Sequence, residues 1–131
     1  MNHERRLLQA AVALASLVPI GAGIAGMVLG PILVGDNAAL QDMGSHFRYL
    51  SGLLAMIGLL FLGTVPRIEE HGARFRLLGT IVVMGGVGRA LGWITEGPPG
   101  GAHRAALIME LAVVPLLMLW QARVARETPH I

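Results

Sequence analysis

Four long apolar stretches dominate the chain, at residues 7–29, 47–65, 77–93 and 105–120. Each is close to the roughly 20 residues that an α-helix needs to cross a bilayer core. Lipid offers no hydrogen bonds, so a spanning segment must satisfy its backbone internally. The stretches lack the inside–outside alternation of a barrel strand. The expected fold is therefore all-α: one four-helix transmembrane bundle occupying residues 1–131 as a single domain. The connections are short and gather the polar residues, as in "PRIEEHGARFR" and "TEGPPGGAHR".

Composition agrees. Of 131 residues, 54% are hydrophobic and 14% charged, against about 25% charged in soluble domains. Mean hydropathy is +0.65. Cysteine is absent, which excludes disulfides, thiol nucleophiles and thiolate metal sites. All ten basic residues are arginine, yet the net charge is only +2. The arginines are scattered without an aromatic platform, so no nucleic-acid partner is expected. The stretch "TIVVMGGVGRALGW" superficially suits a strand entering a dinucleotide-binding turn. The glycine spacing of Gly86, Gly88 and Gly92 misses the G-x-G-x-x-G pattern by one residue. The crossover helix would also have to contain "EGPPGG", which proline and glycine forbid.

Arginine placement sets the expected orientation. Arg5 and Arg6 precede the first stretch, Arg67, Arg74 and Arg76 separate the second from the third, and Arg123 and Arg126 follow the fourth. Only Arg48 and Arg104 flank the opposite ends. Both termini and the middle loop are thus expected in the cytoplasm, with the protein multi-pass in a bacterial inner membrane. Arg5 and Arg6 before an apolar run resemble a signal peptide, but the run is too long for an h-region. Pro19 and Pro115 are expected to kink or distort the first and fourth helices.

Depth then singles out charged residues. At about 1.5 Å rise per residue, Arg89 and Glu110 reach similar depths in the outer half of the membrane. Arg48 lies at the outer start of the second helix, and His46, Tyr49, Glu96 and His103 lie above. Around Arg89, Gly85, Gly86, Gly92 and Trp93 share a face; around Arg48, Ser51, Gly52 and Ala55 do. Small faces allow close helix approach, so both arginines are expected to point inward. Intramembrane charges are costly and usually paired. Glu110 is the expected partner of Arg89, with Arg48 as a possible third member. The pair is either a ligand site or simply a structural lock on helix register, and Arg48 either joins it or snorkels outward. Gly26-x-x-x-Gly30 and Gly88-x-x-x-Gly92 are expected to mark packing within the bundle. Glu69, Glu70 and His71 read as a wet loop, and His3 and His130 as solvated. His46 and His103 lack metal-ligand spacing, so no metal and no cofactor are expected. The methionines read as apolar filler.

The segments "SHFRYLSGLLAMIGLLFL", "GRALGW", "EGPP" and "HRAALIMELAVVPLLMLW" resemble the bacterial domain-of-unknown-function family 4345. The resemblance extends from about Leu7 to Arg123. Its pattern of arginine then glycine early in helix two, glycine–arginine in helix three and glutamate in helix four falls on Arg48, Gly52, Gly88, Arg89 and Glu110. The resemblance implies a small four-helix membrane protein and transfers no activity.

The leading functional expectation is binding of a small amphiphilic or anionic ligand at Arg48, Arg89 and Glu110, with Tyr49, His46 and His103 nearby. A desolvated Glu110 could also serve as acid or base. The alternatives are an accessory subunit packed on a membrane-protein partner or a second copy, and a small proton-coupled transporter. The last is disfavoured because the first helix carries no internal acid. A reporter active only in the cytoplasm is expected to work when fused after Ile131 and to fail when inserted at residues 97–100. The reverse pattern would invert the orientation.

Overall fold

The computed structural model describes residues 2–30 and 38–129, with side chains at 38–40 left aside. Four long helices account for nearly all of them: α1 (Asn2–Leu29), α2 (Ala38–Leu62), α3 (Gly72–Glu96) and α4 (Gly101–Glu127). No strand occurs among the described residues. All four helices are long and apolar enough to cross a membrane.

The helices outrun the apolar stretches that predict them. α2 begins at Ala38 rather than near residue 47, and α3 begins at Gly72 rather than near residue 77. The polar segment "AALQDM" is rich in good helix formers, so the helix continues past the end of the apolar run. His130 lies outside the described residues, as does most of the first loop at 31–37.

Helix ends follow local chemistry. α1 closes on Gly30, whose φ of 60° suits glycine and whose N–H reaches the Gly26 carbonyl at 3.0 Å. That is the single-bond left-handed cap. α2 gives way at Gly63 to a short 3₁₀ turn, Val65–Arg67, containing Pro66. The Thr64 hydroxyl donates to the Phe61 carbonyl at 2.7 Å, occupying a terminal acceptor. α3 ends at Gly97, with φ of 99°, before Pro98 and Pro99. α1 is helical through Pro19.

Contacts group the chain into two compact units, residues 10–65 and residues 1–9 with 66–131. In the first, α1 and α2 approach through small residues. A Cβ on Gly23 would lie 2.5 Å from the Ala55 backbone nitrogen and 2.5 Å from the Ser51 carbonyl oxygen. Gly26 faces Ser51 and Phe47, and Gly58 faces Pro19 and Ile20. Val12, Ala55 and Phe61 are buried, as is Ser16, whose hydroxyl donates back to the Val12 carbonyl.

The second unit is fastened at one end by polar contacts. Arg5 donates through Nε to Glu69 at 2.8 Å and through Nη2 to the Pro66 carbonyl. Trp120 Nε1 donates to Glu4, and the fully buried Gln121 donates to the Ile68 carbonyl at 2.8 Å. Glu69 is therefore a mostly buried ion-pair partner, with 11% of its side chain exposed. That corrects the reading of Glu69 as part of a wet loop. Glu70 keeps a looser, exposed contact with Arg67.

Elsewhere the helices show apolar surface outward. Leu14, Val28, Met84, Ile94, Leu116 and Leu119 are all more than half exposed. In water such a surface would invite association; in hydrocarbon it is the ordinary exterior. Gly23→Val is expected to lower stability by about 1–3 kcal/mol, because the clash is with backbone. Gly21→Ala, where nothing lies within 4 Å, should stay within about 0.5 kcal/mol of wild type. Thermal unfolding in detergent distinguishes the two, and equal losses would remove the packing argument.

Candidate functional site

Arg89 stands on α3, one turn after the buried Gly86. A Cβ on Gly86 would lie 2.8 Å from the Cβ of Glu110 and 2.8 Å from Leu111 Cδ2. The missing side chain is what lets α3 and α4 meet at this level. Of the glycines around Arg89, Gly86 alone is in close contact, since Gly85, Gly88 and Gly92 have nothing within 4 Å; two turns earlier, Gly79 meets Met118. The Gly88-x-x-x-Gly92 motif thus makes no packing face within the described residues, whereas Gly26 of the other motif does pack.

Glu110 lies in an irregular part of α4. The helix is α-helical over Gly101–Ile108, forms a π-turn at Met109–Val113 and resumes at Val114–Glu127. The Val114 N–H bonds the Met109 carbonyl, five residues back. Pro115 follows immediately. Its ring carries no N–H for the preceding turn, and the widened turn accommodates that loss. The distortion expected at Pro115 is thus expressed one turn earlier, around Glu110. Such π-turns are uncommon and frequently accompany functional sites.

The two side chains form a two-point ion pair. Arg89 donates through Nε to Glu110 Oε2 at 3.0 Å and through Nη2 to Oε1 at 3.1 Å. Parallel bonds of this kind fix direction as well as distance. The pair is largely shielded, with 29% of the Arg89 side chain and 15% of the Glu110 side chain exposed. The third nitrogen of the guanidinium, Nη1, lies 2.7 Å from His103 Nδ1. A guanidinium only donates, so His103 must accept there as a neutral ring protonated at Nε2. His103, an exposed residue in the first turn of α4, is thereby joined to the Arg89–Glu110 pair.

The chain matches the family model "Domain of unknown function (DUF4345)" over residues 7–121. It belongs to this family. No curated protein and no solved structure shows a match.

The remaining predicted residues have other settings. Arg48, in the unit formed by residues 10–65, donates through Nη1 to the Met27 carbonyl at 2.9 Å and lies against Gly30. It covers the C-terminal end of α1, where carbonyls lack helical donors and the dipole favours a cation. His46 and Tyr49 stack loosely on α2, ring centroids 6.3 Å apart. Glu96 is exposed at the end of α3. His3 is exposed and His71 half-buried. Among the described residues, no three His, Asp or Glu side chains are grouped to hold a metal ion.

Arg104 holds the α3–α4 connection. Its guanidinium stands 5.7 Å from the Trp93 ring centre, and its Nε donates to the Pro99 carbonyl at 2.9 Å. Sequence reasoning gave Arg104 only a flanking position; its spacing from Trp93 across a "GPPGG" turn was the available signal. The π-turn was foreshadowed only by Pro115, five residues after Glu110.

A double-mutant cycle with Arg89→Gln and Glu110→Gln should give a coupling of about 1–3 kcal/mol in unfolding stability. The single variants should each lose more than the pair contributes net, since each strands a charge. Coupling under about 0.5 kcal/mol would mean that the pair holds nothing together.

Proposed function

We propose that this protein is a multi-pass protein of a bacterial cytoplasmic membrane that holds the polar head of a small amphiphile against Arg89, Glu110 and His103. The carrying observation is the shielded, two-point Arg89–Glu110 pair, with its acid in a π-turn and an exposed histidine on its open edge. Ionisable residues at membrane depth are expensive and tend to mark functional sites.

The chemistry available is hydrogen-bond donation. Arg89 has five N–H groups, and the contacts to Glu110 and His103 engage three of them. The remaining two can be offered to a carbonyl, hydroxyl, carboxylate or phosphate oxygen. Elsewhere on α3 and α4 the outward surface is apolar, with Val87, Leu91 and Ile108 each about half exposed or more. Arg48 is engaged at the end of α1, so the reading rests on Arg89, Glu110 and His103 without it. By the arginine distribution, the site belongs to the outer leaflet side.

Mass spectrometry on protein extracted gently from native membranes tests this, wild type beside Glu110→Gln. The expected result is a lipophilic small molecule that falls about tenfold, equivalent to about 1.4 kcal/mol of binding, in the variant. Equal retention in both would overturn the reading. A stoichiometric protein partner in both samples, with no such molecule, would favour an accessory subunit.

A further inference from the structure

The contact between Arg89 and His103 carries a consequence beyond ligand holding, and it rests on the amphiphile reading. Nδ1 of His103 accepts from Arg89 at 2.7 Å only while the ring is neutral. A protonated imidazole has two donors and no acceptor. It would then face a guanidinium with like charge and no bond between them. Imidazole is the side chain that changes charge near physiological pH, and His103 is an exposed residue in the first turn of α4.

We propose that His103 is a proton-sensitive selector for the ligand head. Neutral, it occupies one edge of Arg89, and the Arg89–Glu110–His103 group carries no net charge; a neutral acceptor fits. Protonated, it swings away from Arg89, freeing the Nη1 donor and adding a second cation; an anionic head fits. No covalent step is involved.

The charged groups facing His103 define the response. α3 presents Arg89, whose Nη1 meets His103 Nδ1. The π-turn presents Glu110, whose two oxygens are already taken by Arg89. On the same helix turn, Arg104 is directed to Trp93 and Pro99. Glu96 stands exposed at the end of α3 from which the connection to α4 departs. Protonation therefore breaks one contact, Arg89–His103, and leaves the two-point pair in place.

The test uses the whole protein in phosphatidylcholine nanodiscs at about pH 7.5 and about pH 5.5, either side of the imidazole range. The probes are decanesulfonate, whose charge is fixed, and decanol, its neutral counterpart. Decanesulfonate binding should strengthen about tenfold in acid while decanol binding weakens. His103→Gln, which can still accept from Arg89 but cannot titrate, should abolish the dependence. Nitrogen NMR on histidine-labelled protein should show His103 with a bare Nδ1 at the higher pH. Unchanged pH dependence in His103→Gln, or a protonated Nδ1 at the higher pH, overturns the selector. Arg89-dependent binding that ignores pH overturns the selector but leaves the amphiphile reading standing. No binding of either probe at either pH overturns both.

Discussion

A guanidinium and a carboxylate at membrane depth tolerate few arrangements. Each alone would have to recruit water or snorkel to the interface; together, with two parallel hydrogen bonds, they neutralise one another. The Arg89–Glu110 pair satisfies that condition, and its surroundings follow from it. Gly86 has no side chain because a Cβ there would collide with Glu110. The fourth helix widens at Met109–Val113, so the acid and Pro115 are accommodated in neighbouring turns. The "GPPGG" connection is drawn in by Arg104, which ties the start of α4 to the end of α3. His103 is then delivered to the remaining edge of Arg89.

The unit formed by residues 10–65 follows a different logic. Among its described residues no ion pair occurs; α1 and α2 meet through Gly23, Gly26 and Gly58 against Ala55, Ser51 and Ile20. Where hydrocarbon supplies no hydrophobic drive, close backbone packing is the main attraction left. Arg48 works at the rim of this unit on the last carbonyls of α1. Arg48 and Arg89 thus do unlike work: one caps a helix, the other binds an acid.

Helix number, fold class and the Arg89–Glu110 partnership were legible in the sequence because they follow from run length, hydropathy and the cost of an unpaired charge. Helix ends were less so: Ala38 to His46 are polar enough to resemble a loop yet favour helix. Faces were legible only in part. Periodicity put Gly85, Gly86 and Gly92 near Arg89, but whether a glycine is contacted depends on the rotation of the neighbouring helix, and only Gly86 is. The π-turn shifts that rotation by an extra residue, which no periodicity count contains. Glu69 could not be distinguished from Glu70 by sequence either, since its burial depends on Arg5 arriving from the other end of the chain.

The central claim is that Arg89 and Glu110 are joined side by side within the bilayer. The most direct measurement is a solid-state NMR distance between the labelled Arg89 guanidinium nitrogens and the Glu110 carboxyl carbon, in lipid bilayers. The account predicts direct hydrogen-bonded contact, in keeping with nitrogen–oxygen separations of 3.0 and 3.1 Å. A separation beyond about 6 Å, the outer limit for strong charge pairing, would contradict it.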